Sequence, residues 1–240
     1  MRQLFDPNTQ PAPLSGPAPS ASRRWFLGRS ARTLALVGGA AAVIAVTAED
    51  ADAARRRKKK KKRKFPQGDN FRSIQKHEND HVAALVAALG SAARPKPTFQ
   101  NLEQPDFGAF ATVSQALENT GVGAYLGAAV AIDSPAILAA AGSIALIEAR
   151  HAGFLNVFLC DPITGSALDP ESDNSFEAPL SVEQVLAAAG GFIASLNGGP
   201  PVGYESTPSP DNDIDILNYA LALEYLEAEF YNINVPKFFP

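Results

Sequence analysis

Sulfur is nearly absent from this chain, which has one cysteine, Cys160, and one methionine in 240 residues. A single thiol excludes an intramolecular disulfide and a thiolate-rich metal site. Any metal must therefore be held by Asp, Glu or His. There is one tryptophan, and no stretch shows the sustained alternation of a half-buried strand. Phe107–Phe110 and Val235–Phe239 are short apolar patches that read as packed loop. Positive charge is scarce beyond residue 64, because 15 of the 21 Lys and Arg precede that point while 21 of the 25 Asp and Glu follow it. An acidic body of this kind attracts cations and repels nucleic acid and anionic lipid. The length fits one main domain with appendages, and the alanine-rich composition suits a helical protein.

The front of the chain has a different character. Residues 1–21 are rich in Pro, Ser and Ala, a composition that does not build a core. Ser22-Arg23-Arg24-Trp25-Phe26-Leu27 follows, and then an uncharged stretch from Thr33 to Ala48. Paired arginines, a Phe-Leu and a mildly apolar run together resemble a twin-arginine export signal. Ala51-Asp52-Ala53 offers a small-x-small cleavage site, with Val46-Thr47-Ala48 as a second choice. The expected location is the periplasm or cell envelope, with membrane tethering as the alternative if the signal is retained. The apolar run is short and rich in Gly and Ala for a membrane span. Ten basic residues then run from 55 to 64. This arm could contact polyanions or a membrane surface, but a solvated linker is the favoured reading. No specific nucleic-acid partner is expected. The division is a leader over 1–53, a basic linker over 54–68 and a helical body over 69–240.

Five helical segments fill that body. The first runs from about Asp69 to Leu89 and stops at Gly90. The second runs from about Asp106 to Ile132. The third has Ser134 as N-cap and Pro135 at the first helical position, and continues to about Leu159. Ser181-Val182-Glu183-Gln184 reads as a capping box opening a short helix to about Leu196. The last helix runs from about Asp213 to Tyr231, after a Gly- and Pro-rich loop.

Two of these helices carry the same pattern. The first reads Ile74, Glu78, His81, Leu85, Leu89, and the third reads Ile144, Glu148, His151, Leu155, Leu159, with identical spacings. Steps of three and four place all five residues on one face. An apolar stripe is thus interrupted one turn deep by Glu and His. The other two long helices match each other as well, with Glu118 and Tyr125 on one and Glu224 and Tyr231 on the other, each pair seven residues apart. A carboxylate on an apolar face is expensive to bury unless it is paired or metal-bound. One Glu from each of two helices, with Glu-x-x-His from each of two more, is the ligand set of di-iron and di-manganese carboxylate bundles. Oxygen and imidazole ligands suit such divalent metals. The competing reading is a bundle whose buried polar groups satisfy one another without metal. Tyr125, Tyr231 and Glu227 are candidates for supporting the ligands, with Glu227 also an alternate ligand. His77 lies off the inward stripe and reads as a surface residue. Cys160 reads as a passive core or helix-end residue.

The stretches DIDILNYALALEYLEAEFY, HENDHVAALVAALG and ENTGVGAYLGAA with IALIEARHAG resemble the ferritin-like proteins associated with desiccation and stress. The likeness covers most of 69–160 together with 211–232. It implies an all-α, ferritin-like four-helix bundle with one extra short helix. It also implies that the metal ligands are Glu78, His81, Glu118, Glu148, His151 and Glu224, with Glu78 and Glu148 bridging, and that the protein is exported. The family places its Glu-x6-Tyr helix first, whereas here that helix is last, so the chain reads as circularly permuted. Swapping of the final helix into a homodimer and an imperfect bundle are the alternatives.

The expected function is that of an exported protein holding two divalent metal ions, iron or manganese. Acting on oxygen or peroxide, it would be a ferroxidase, peroxidase or catalase. The alternative is a non-catalytic stress protein of the cell envelope, whose ligands serve folding alone.

Overall fold

The computed structural model describes residues 67–240. The readings of the leader and the basic run lie outside the described residues. The body is an all-α bundle, as expected. Helix α1 spans Gln67–Leu89, α2 spans Phe107–Ala129, α3 spans Pro135–Phe158, α4 spans Val182–Ala189 and α5 spans Pro210–Phe238.

Local chemistry sets most of the helix ends. Gly90, with φ +54°, closes α1 in the left-handed conformation that favours glycine. Asp106 caps α2 by accepting from the Ala109 amide, and Ser134 caps α3 from the Ile137 amide with Pro135 following. α3 ends in a left-handed Cys160, and the Asp161 amide returns to the Asn156 carbonyl at 2.8 Å. Both halves of the capping box at Ser181 and Gln184 are made.

Four corrections follow. α4 stops at Ala189, where Gly190 and Gly191 break it, and Ile193–Ser195 pairs antiparallel with Thr98–Phe99 as a two-stranded ribbon. Strand pairs this short leave no alternating pattern in a sequence. Phe107–Phe110 is not packed loop but the first turn of α2, in line with a helix expected from about Asp106. α5 starts three residues earlier than expected, at Pro210 after the N-cap Ser209, and continues through Pro236 to Phe238. Pro236 is tolerated because it lies in the last turn and its ring displaces a single backbone hydrogen bond there. α2 ends at Ala129 rather than near Ile132.

The bundle is two antiparallel helix pairs, α1 with α5 and α2 with α3. α5 is anchored by buried polar side chains. Asp213 accepts from the amides of Asp133 and Ser134 at 2.8 and 2.9 Å, which ties the start of α5 to the start of α3. Asn218 accepts from the Arg94 amide, and Asn234 bridges the Leu102 carbonyl and the Gln104 amide. Gln115, Asn119 and Asn156 form an amide network between α2 and α3, closed on the Gly165 carbonyl. The loop after α3 crosses α2 so closely that a Cβ on Gly127 would run into the Leu180 carbonyl.

One end of the bundle is filled by phenylalanine. Phe71 sits fully buried among Phe107, Phe110, Phe154, Phe158 and Phe239, with ring centroids 5.1–5.8 Å away. Edge-on and tilted contacts dominate, the arrangement aromatic quadrupoles favour. Phe71→Ala empties the centre of this plug. Chemical denaturation should show a loss of about 3–5 kcal/mol.

Candidate metal centre

Halfway along the bundle the apolar stripes stop, and six polar side chains converge. Glu78, Glu118 and Glu148 are fully buried, Glu224 is 1% exposed, and His81 and His151 are also buried. The six form two overlapping groups: Glu78, His81, Glu148 and Glu224, and Glu78, Glu118, Glu148 and His151. Within each group, one ligand atom from every member lies within 4.8 Å of the others. Glu78 and Glu148 belong to both groups. Each group adds one further Glu and one His.

Both imidazoles turn Nδ1 inward. His81 Nδ1 is 3.0 Å from Glu78 Oε2, 3.0 Å from Glu148 Oε1 and 3.2 Å from Glu224 Oε2. His151 Nδ1 is 3.0 Å from Glu78 Oε1 and from Glu118 Oε2. One N–H cannot serve three acceptors. Glu78 Oε1 and both carboxylate oxygens of Glu148 accordingly receive no hydrogen bond although they are buried. Such orphaned oxygens are expensive in a protein interior. They belong to the two carboxylates common to both groups, where a cation would satisfy them. The donor set, four carboxylates and two imidazoles, is of the kind that suits divalent metal ions.

The two tyrosines are placed across the bundle. Tyr125, from the helix of Glu118, donates to Glu224 Oε1 at 2.6 Å, and Tyr231, from the helix of Glu224, donates to Glu118 Oε1 at 2.7 Å. Each phenol therefore orients the carboxylate of the other helix. Glu227 is buried beside the centre but belongs to neither group. A Cβ on Gly121 would lie 3.4 Å from Glu227 Oε1 and 3.5 Å from Glu148 Oε2, so glycine there leaves room for both.

The reading of His77 as a surface residue is corrected. Its Nδ1 lies 2.9 Å from His151 Nε2, with the two rings within 9° of parallel. If His151 gives Nδ1 to a metal, its Nε2 carries the proton and donates to His77. Burial and the nearby His151 and His81 keep the His77 pKa low, which preserves the acceptor. The stripe pattern hid this residue because it reaches the centre sideways, from the flank of α1. A third histidine directly before the Glu of Glu-x-x-His was the available signal.

Crowding sets the protonation of the metal-free site. Burial, then the Glu148 charge, lift the Glu78 pKa to about 7 against the pull of both histidines. Burial and neighbouring carboxylates push Glu148 and Glu227 well above the carboxylate range. Burial would lower His81, but the close carboxylates of Glu148, Glu224 and Glu78 raise it to about 12. Burial likewise opposes and Glu118 and Glu78 raise His151, to about 11. Every one of these groups binds its proton more tightly folded than unfolded. The stability they contribute is therefore complete at low pH and is lost as pH rises, from about 4.5 upward for Glu78 and from about 6.5 upward for the histidines. The melting temperature of the metal-free chain should fall steadily between pH 5 and 9. Loading with divalent metal at pH 7 should release protons, detectable with a pH indicator in weak buffer.

Comparison with curated proteins and with solved structures finds no match. A family model described as a ferritin-like domain matches residues 38–160 and 212–238, more than half of the chain. The match takes in all six converging residues as well as Tyr125, Glu227 and Tyr231. The chain belongs to the ferritin-like domain family.

Proposed function

We propose that this protein holds two divalent metal ions, iron or manganese, and acts as an oxidoreductase on oxygen or peroxide. The observation that carries the proposal is the sharing of Glu78 and Glu148 between two ligand groups, with their inward oxygens unpaired. Glu78 and Glu148 would bridge. His81 with Glu224 and His151 with Glu118 would complete one position each. Bound there, the two ions would exchange electrons with oxygen or peroxide. Tyr125 and Tyr231 hold the terminal carboxylates in orientation. His77 fixes the tautomer of His151, and Glu227 adds a further buried carboxyl beside the centre.

Elemental analysis of the chain from residue 54 onward should give close to two iron or manganese ions per chain. Glu78→Ala and Glu148→Ala should each lose them along with peroxide and oxygen turnover. No metal after reconstitution would sink the proposal. Metal that raises the melting temperature without any turnover would favour the non-catalytic stress protein. The His–Glu contacts, which already satisfy part of the site, support that second reading.

The same proposal takes the protein to the periplasm or cell envelope, on the strength of the arginine-paired leader. It also reads α5 as the family's first helix moved to the end of the chain. The support is proximity: Arg72 Nη2 donates to the Phe239 carbonyl at 2.9 Å, and Gln75 Nε2 to Asn232 Oδ1 at 2.9 Å, so the end of α5 lies beside the start of α1. Association into a homodimer is supported by the exposed Leu138 and Leu146 of α3. A chain rebuilt with α5 joined ahead of α1 should keep its helical circular dichroism and its metal content; collapse of both would refute the permutation.

A further inference from the structure

The two ends of the bundle are built differently. Phenylalanine plugs one, while the other is lined by alanine and is hollow. A slot opens there between α1 and α3, with the exposed Ala84, Ala88, Ala136 and Ala140 at its mouth. Its inner wall includes Leu85, Ala124, Ile144 and Leu223, all buried, and it encloses about 260 Å³. Benzene occupies an apolar cavity of about 150 Å³, so this slot takes an alkyl chain of about ten carbons.

The slot lies about one turn from the carboxylate–histidine centre along three helices and nearly two along α2. Leu85 follows His81 by four residues, Ile144 precedes Glu148 by four, Ala220 precedes Glu224 by four, and Ala124 follows Glu118 by six. Tyr125 belongs to both places, since it lines the slot and its hydroxyl holds Glu224. No charged side chain lines the slot. Tyr219 borders the slot, but its hydroxyl is buried and closed off from it, so the surface a ligand meets is apolar.

We infer that the slot binds an uncharged alkyl chain of about ten carbons, running toward Tyr125 at its inner end. Binding needs only the slot; that the chain serves as substrate rests on the function proposed above.

The test uses the metal-free chain from residue 54 onward, which separates it from the metal question. In calorimetric titration, 1-decanol should bind one per chain and at least tenfold more tightly than 1-hexanol or decanoate. Ala88→Leu with Ala140→Leu, both at the exposed mouth, should weaken 1-decanol at least tenfold while leaving the melting curve and metal loading as in the parent. Absence of 1-decanol binding, or binding untouched by the mouth variant, would overturn the inference. So would decanoate binding as well as 1-decanol.

Discussion

Four carboxylates cannot share a dry space in a protein core unless positive charge accompanies them. At the separations seen here, each like-charge pair repels by an amount that is a large part of a domain's margin of stability. Protons held well outside their usual range, two imidazolium groups, or metal cations must balance them. The rest of the molecule serves that condition. The phenylalanine plug, the α2–α3 amide network and the polar anchors of α5 fix the four helices in one register. The converging side chains are thereby held in place by the protein itself, the preorganisation that a metal site would need.

The bundle is nearly symmetric about this centre, and its departures from symmetry are informative. The Glu-x-x-His helices α1 and α3 correspond, as do the Glu-x6-Tyr helices α2 and α5, with each tyrosine crossing to the other helix's glutamate. On α1, however, His77 stands where α3 has Ile147, so His151 has an imidazole partner at Nε2 and His81 has no such partner on α3. On α5, Glu227 stands where α2 has Gly121. The extra carboxyl and the missing side chain are two parts of one arrangement, since glycine opens the space the acid fills. The two halves of the centre therefore differ in the groups that orient ligands and hold protons. The ends of the bundle differ in the same spirit, one packed solid and one left open beside Tyr125.

Much of this was legible before any coordinates. The helical class, the capping residues Asp106, Ser134 and Ser181, the break at Gly90 and the six converging residues all followed from local spacing. These are short-range properties, written within a turn or two of the chain. The errors arose where context decides. The ribbon of Thr98–Phe99 and Ile193–Ser195 is held by pairing between distant segments. The last turns of α5 persist past Pro236 because Val235 is buried there and Phe238 and Phe239 pack into the phenylalanine cluster. His77 was misplaced because a helical stripe identifies the inward face of one helix and is silent about what approaches its flank.

By itself the sequence determined that four helices would each present a carboxylate on an apolar face, two of them with a histidine three residues on. Helical periodicity and the expense of burying charge leave little choice once those residues are spaced by three, four and seven. Only the tertiary structure decided which carboxylates are shared, which tyrosine serves which glutamate, and that His77 supports His151. It also decided that alanines from α1, α2, α3 and α5 leave a cavity beside the centre. Those outcomes depend on the relative register and rotation of helices far apart in the chain. Packing of the whole bundle sets that register, and no local pattern encodes it.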